Sequence, residues 1–239
     1  MSTPPGLNAY PLCVYFLSEY LSKRNDSSNF PPDQIPGVFQ RHEILFASAL
    51  QALGMTKEGL KGRSEFNFDS GDAQNLEGGV AILRVVEALR LKGFSKISLV
   101  KPGKGKGGAD IVCEKNCEKV CVEVKTITKQ SSGRRGSDFA DQLYQKILEN
   151  ISKASRQLKE TAESLQCTIT AYFCVVNWFD QSIYFQESDY QHIVDRLEKD
   201  QDQYSLQGID VVWFVTKMGQ QFAFLNERGK LIDRDPSTT

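Results

Sequence analysis

Apolar residues recur in two different periods along this chain, and the switches between them mark its elements. Between Asp138 and Leu165 they fall three and four residues apart, at Leu143, Ile147, Ile151, Ala154, Leu158, Ala162 and Leu165. That spacing lines one stripe of a helix and predicts a long amphipathic one. Gln74 to Lys92 is apolar around most of its circumference. It predicts a largely buried helix, with Asp72 the candidate N-cap and Gly93 the stop signal. Short segments lie between these two helices: a strand over Lys96 to Val100, a Gly-rich loop, a strand over Ala109 to Glu114, a tight turn, and a strand over Lys119 to Ile127. Thr168 to Val176 and Ile209 to Thr216 are nearly continuous apolar runs, which suit central strands covered on both faces. Ser188 to Asp200 reads as a helix between them.

The order from Ala73 is therefore helix, three strands, helix, strand, then a further helix and strands: an α/β chain with a mixed sheet flanked by helices. The first 35 residues are rich in Pro, Ser and Asn, although Tyr10 to Leu17 is apolar enough to pack. A helix is expected from about Val38 to Leu53, then a loop through Gly71. These readings divide the chain into a partly helical N-terminal extension over 1–70, a main domain over 71–230 and a disordered tail over 231–239.

With 40% hydrophobic and 25% charged residues in 239, the chain reads as an ordinary soluble protein able to bury a sizeable core. The longest apolar run, around Ala171 to Phe179, is far too short for a membrane span, so no membrane partner is expected. Met1-Ser-Thr-Pro-Pro-Gly lacks the positively charged lead of a secretion signal, which points to the cytoplasm. There the six cysteines (13, 113, 117, 121, 167 and 174) are expected as reduced thiols. The net charge is −1, but its distribution is uneven. Lys101 to Arg135 holds nine Lys/Arg against four acids. A basic zone on a neutral protein is what a phosphate-binding face looks like, or else an exposed lysine-rich loop.

Within that zone, Asp110 to Lys125 can be folded into a hairpin centred between Asn116 and Cys117. This register pairs Lys115 with Glu118 and Glu114 with Lys119, and sets Ile111 opposite Val122 and Cys113 opposite Val120. Cys117 suits such a turn poorly, because positive φ is wanted there. The same register places Asp110 opposite Glu123, with Lys125 two residues on and on the same face. Carboxylates so placed sit about 5 Å apart and repel. A hard divalent cation between them would offset that cost, and Mg²⁺ commonly takes one or two carboxylates together with water and phosphate.

Gly108-Ala109-Asp110 with Glu123-Val124-Lys125 on adjacent strands resembles the PD-(D/E)XK nuclease superfamily, which includes restriction endonucleases and Holliday-junction resolvases. The surrounding helix, three strands, helix, strand order over roughly 73–178 is similar to that superfamily's αβββαβ core. Ala109 stands where the motif's name has proline. The resemblance implies a restriction-endonuclease-like fold and Mg²⁺-dependent hydrolysis of phosphodiester bonds, in DNA rather than RNA, with Mn²⁺ able to substitute. Asp110, Glu123 and the Val124 carbonyl would be metal ligands, and Lys125 would stabilise the transition state. Members often add a glutamate from the first helix. Glu77 is preferred to Glu87 here, because Glu87 lies between Arg84 and Arg90 in a solvated ion-pair row, whereas Glu77 precedes two glycines that permit close approach. Lys104, Lys106, Lys129, Arg134 and Arg135, on two Gly-rich loops, are the candidates for contact with the nucleic-acid backbone. Residues 1–70 are the candidate for target recognition or for homodimerisation.

Other motifs point elsewhere and are weaker. Cys113 and Cys121 face opposite sides of the hairpin, so zinc is not expected. Gly103 to Gly108 formally fits GxGxxG, but a strand follows it rather than a helix, so no nucleotide is expected. Two rival readings keep the fold without the chemistry: a catalytically silent nucleic-acid-binding protein, and a protein-interaction domain.

Overall fold

A computed structural model describes residues 7–23, 35–63, 66, 68–69, 73–101, 108–127, 137–176, 187–200, 208–216, 219–224 and 226–232. Two compact units make up the chain, Met1–Glu87 and Ala88–Thr239. The division falls inside the helix expected over 74–92 rather than at residue 70.

The first unit opens with a short 3-10 turn, Leu7–Ala9, followed by α1 (Pro11–Lys23), α2 (Ile35–Leu53) and α3 (Lys57–Lys61); α4 (Ala73–Leu91) runs across the division. The first amides of α1 have no intrahelical partner, and Glu43 of α2 supplies one. Its carboxylate accepts the Leu12 N–H at 3.0 Å and the Cys13 N–H at 2.8 Å, with negative charge at the positive end of the helix. The Phe16 ring meets Phe46 at 4.8 Å and Phe68 at 4.7 Å between centroids, joining α1, α2 and the segment before α4. Gly79 lets α4 approach that segment: a Cβ there would lie 2.8 Å from the Phe66 carbonyl oxygen.

The second unit carries β1 (Ser95–Leu99), β2 (Ile111–Lys115), β3 (Glu118–Ile127), α5 (Ser137–Leu165), β4 (Ile169–Val176), α6 (Glu187–Asp200), β5 (Val211–Thr216), β6 (Gly219–Phe224) and α7 (Glu227–Leu231). The strands form one sheet in sequence order, β1 to β6. β1, β2 and β3 are antiparallel neighbours; β3, β4 and β5 are parallel; β5 and β6 are antiparallel. Parallel neighbours need long crossovers, and α5 and α6 provide them. At the coarse level the expectation of an α/β chain with a mixed sheet flanked by helices holds.

The apolar stripe of α5 does what its spacing predicts. Leu143, Ile147, Ile151, Ala154 and Leu158 are buried against Val112 and Cys121 of the hairpin and Tyr172 and Cys174 of β4, and Ala162 and Leu165 pack at the edge. Lys146, Lys153, Arg156 and Lys159 lie on its exposed side. Ile111, Cys113, Val120, Val122, Phe173 and Trp213 alternate with the first set and are buried as well. Gly93, at φ 78, stops α4 where a stop was expected. Leu231 ends α7 and Ile232 is buried, so the chain is still ordered two residues into the segment expected as a tail. No helix among the described residues is long and apolar enough to cross a membrane.

The hairpin has the register read from the sequence, with Ile111 opposite Val122, Cys113 opposite Val120, Glu114 opposite Lys119 and Lys115 opposite Glu118. Its turn is the tight two-residue form despite Cys117: Asn116 has φ 52 and Cys117 φ 64. The charged pairs, however, find other partners. Glu114 joins Lys96 of β1 at 2.7 Å, the Lys119 ammonium donates to the Leu165 carbonyl at 2.7 Å, and Glu118 accepts from the Thr168 hydroxyl. The cause is that this hairpin is flanked on both sides, so neighbouring elements compete for its charges.

Candidate active site

Regular pairing of β2 with β3 ends at Ile111 and Val122, one residue short of the expected acid pair. Asp110 stands where the chain enters β2, and its backbone is tied to both neighbouring strands. Its N–H donates to the Val122 carbonyl at 2.9 Å, and its own carbonyl accepts the Val100 N–H at 2.9 Å. The side chain then takes over the ladder's work. Oδ2 of Asp110 accepts the Val124 N–H at 2.8 Å, a charge-assisted bond to a backbone donor. The carboxylate is thereby held beside β3.

Glu123 comes from the same stretch of β3 and is only 1% exposed. Period-2 alternation places it on the face shared with Cys121 and Lys125. The Lys125 ammonium, 29% exposed, pairs with Oε1 of Glu123. Oε2 has no hydrogen-bond partner among the described residues. Burial, first, and the nearby Asp110 charge, second, push the Glu123 carboxyl up to about 8 against the opposing pull of Lys125. Tyr172 is the Cα partner of Glu123 on β4, and burial holds its phenol well above the ordinary range.

Two carboxylates facing one another are both acceptors. Lys125 brings one positive charge to the two carboxylates, and a proton on Glu123 or a cation can supply another. The residues present fit a hard divalent cation, since the donors are oxygens and the buried Oε2 lacks a donor. Among the described residues no three His, Cys, Asp or Glu side chains gather as a metal-ligand cluster, so the side-chain donors here number two. The structure thus brings Asp110, Glu123, Val124 and Lys125 together within the second unit.

The remaining candidates fare differently. Glu77 is buried on α4, 6% exposed, and belongs to the first unit. Of the two glycines after it, Gly79 is explained by its approach to the Phe66 backbone, so close packing accounts for that small residue. Glu87 does not sit in a solvated row as expected. Arg84 beside it is buried, and that burial lowers the guanidinium to about 9, with Glu87 opposing the drop. Lys104, Lys106, Lys129, Arg134 and Arg135 all lie outside the described residues, as does Asp72. Cys121 belongs to the cluster under α5 while Cys113 is buried on the other face, as the register requires.

Sequence reasoning missed Tyr172 and Thr161. A hydroxyl inside the apolar run from Ile169 to Val176 was a usable signal for the first. Nothing in the local sequence flagged Thr161, whose partner is 52 residues away.

Fold and site together define an α/β chain whose mixed sheet carries an acid pair, a half-buried Asp110 beside a buried Glu123, closed by a lysine. No family model, no curated protein and no solved structure matches it.

Proposed function

We propose that this chain is a divalent-cation-dependent nuclease that hydrolyses phosphodiester bonds, in DNA rather than RNA, on a restriction-endonuclease-like core. The reading rests on one observation: the buried Glu123 carboxylate has one oxygen paired with Lys125 and the other without a donor, beside the Asp110 carboxylate. Asp110 and Glu123 would hold Mg²⁺ or Mn²⁺, with the Val124 carbonyl as a further ligand. When bound, the ion lowers the pKa of a water and offsets charge on the phosphate.

The chain's own residues supply the rest. Val124 fixes the Asp110 carboxylate through its amide, so one of its oxygens is already committed. Lys125, partly exposed, can meet both Glu123 and the negative charge that develops on a phosphate in the transition state. In the sequence, the stretch from Lys101 to Arg135 that contains the site residues carries a local excess of positive charge, suited to a polyanionic backbone. Residues 1–70 remain the candidate for target recognition or homodimerisation.

The test is incubation of plasmid and single-stranded substrates with Mg²⁺, Mn²⁺ or EDTA, for the wild type and for Lys125→Ala and Asp110→Asn. Metal-dependent cutting by the wild type alone is expected. A second reading is favoured by the Glu123–Lys125 and Asp110–Val124 contacts, which engage both carboxylates from within the chain: a chain that binds nucleic acid, or another protein, and cuts nothing. Binding of DNA in EDTA at low salt with no cleavage under any metal would select the nucleic-acid form. Absence of DNA binding even at low salt would select the protein-interaction form.

A further inference from the structure

Ala109 occupies the position before Asp110, and it is buried. A proline at this position has no N–H, whereas an alanine brings one that must find an acceptor away from water. The Ala109 N–H does not enter the ladder. It donates to the Thr161 hydroxyl oxygen of α5 at 2.8 Å, a buried contact. Thr161 is itself locked, because its hydroxyl donates to the Gln157 carbonyl one turn back at 3.0 Å. With its proton committed there, the oxygen is left to accept. Gly108 completes the contact: a Cβ on it would stand 3.2 Å from the same oxygen, close enough to press the Thr161 hydroxyl by a few tenths of an ångström.

We infer that Thr161 is a positioning residue for the acid pair, acting through Ala109 to set where Asp110 enters β2. Asp110 has backbone bonds to β1 and β3 on either side, but the chain leading into it is pinned from the helix layer by this hydroxyl. Without it, a buried amide loses its acceptor next to a ligand whose aim depends on its backbone. Groups that hydrogen-bond a metal ligand directly commonly carry 10- to 100-fold in metal affinity, and Thr161, which bonds the residue before it, should carry the lower end of that range. The inference rests on the proposed function, since it concerns the same two carboxylates.

Mn²⁺ titration by calorimetry on the full chain, with thermal denaturation alongside, tests it without reference to cleavage. Thr161→Val keeps the shape, removes the acceptor and should weaken Mn²⁺ binding about tenfold. Thr161→Ser keeps the hydroxyl and should bind as the wild type does. Gly108→Ala crowds the same oxygen and should weaken binding in the same direction, which serves where Thr161→Val does not fold. Thr161→Val, or in its place Gly108→Ala, binding Mn²⁺ with wild-type affinity at whatever Tm would overturn the inference while leaving the proposed function standing. A wild-type chain that takes up no Mn²⁺ would overturn the proposed function, and the inference with it.

Discussion

The Asp110 carboxylate accepts the backbone N–H of Val124 at 2.8 Å, so a side chain stands in for the carbonyl that β2 would otherwise present to β3. This bond gives Asp110 a structural duty besides the proposed ligand duty. It also fixes the carboxylate next to Glu123, whose unpaired oxygen then faces another acceptor. Burial and the Asp110 charge together favour the protonated form of Glu123, and a bound cation would have to displace that proton.

Removing Asp110 should have two separable effects. Asp110→Ala leaves the buried Val124 amide without its acceptor, at a cost of about 1–3 kcal/mol. Asp110→Asn retains an oxygen in the same place and should be close to wild type in stability. Both should lose cleavage. Urea denaturation distinguishes them, and equal midpoints for the two variants would contradict the assigned role of the Val124 bond.

The Glu123 carboxyl should make the metal-free protein less stable as pH rises. Its folded value, about 8, is above the ordinary 4.5, so the fold favours the protonated form. That contribution is complete below the unfolded value and is lost as pH climbs through about 8. In EDTA, the urea midpoint of the wild type should fall between pH 5 and 9 more than that of Glu123→Gln, which cannot ionise. Parallel profiles would show that Glu123 does not titrate in this window.

Cation binding should displace that proton. Below pH 8, uptake of Mg²⁺ or Mn²⁺ should release up to about one proton per ion, because a ligand carboxylate must be deprotonated. Calorimetry in two buffers of different ionisation enthalpy measures the number directly. The ion should also raise the wild-type Tm while leaving that of Glu123→Gln unchanged. Equal Tm gains in both proteins would place the ion elsewhere.

Lys125→Ala should fold and lose cleavage by at least about 100-fold, the scale of removing one electrostatic transition-state partner. Gel-based cleavage rates under saturating Mg²⁺ decide it. A variant retaining wild-type rates would reduce Lys125 to a counter-charge for Glu123.

The hairpin turn offers a stabilising substitution. Cys117 holds φ 64, a conformation that costs an L side chain about 1–2 kcal/mol and glycine almost nothing. Cys117→Gly, giving Asn-Gly in a tight turn, should raise stability by about 1 kcal/mol with no change in cleavage. A lower denaturation midpoint would mean that the Cys117 side chain contributes contacts of its own.

The parts legible in advance were those whose information is local. The α5 stripe and the hairpin register follow from spacing and pairing inside short windows, and both appear as read. Wherever a third element competes, local reading fails. Lys96 draws Glu114 away from Lys119, and Leu165 and Thr168 engage Lys119 and Glu118, because the hairpin lies between β1 and β4. The Glu87 row misled for the same reason, since helix spacing says which charges are adjacent but not that Arg84 is buried.

Hydrophobic period and turn chemistry by themselves determined α2, α4, α5, α6 and β1 to β5, though not α1 or the short α3 that lies inside the expected loop, and that Asp110, Glu123 and Lys125 fall near one another on the hairpin. Tertiary structure alone decided that β3, β4 and β5 run parallel, that Glu123 is sealed from water while Lys125 is not, and that Thr161 reaches Ala109 from α5. The physical reason is range. Alternation and helical repeat act between residues a few positions apart, whereas desolvation and the pairing of buried donors depend on which distant elements close over them.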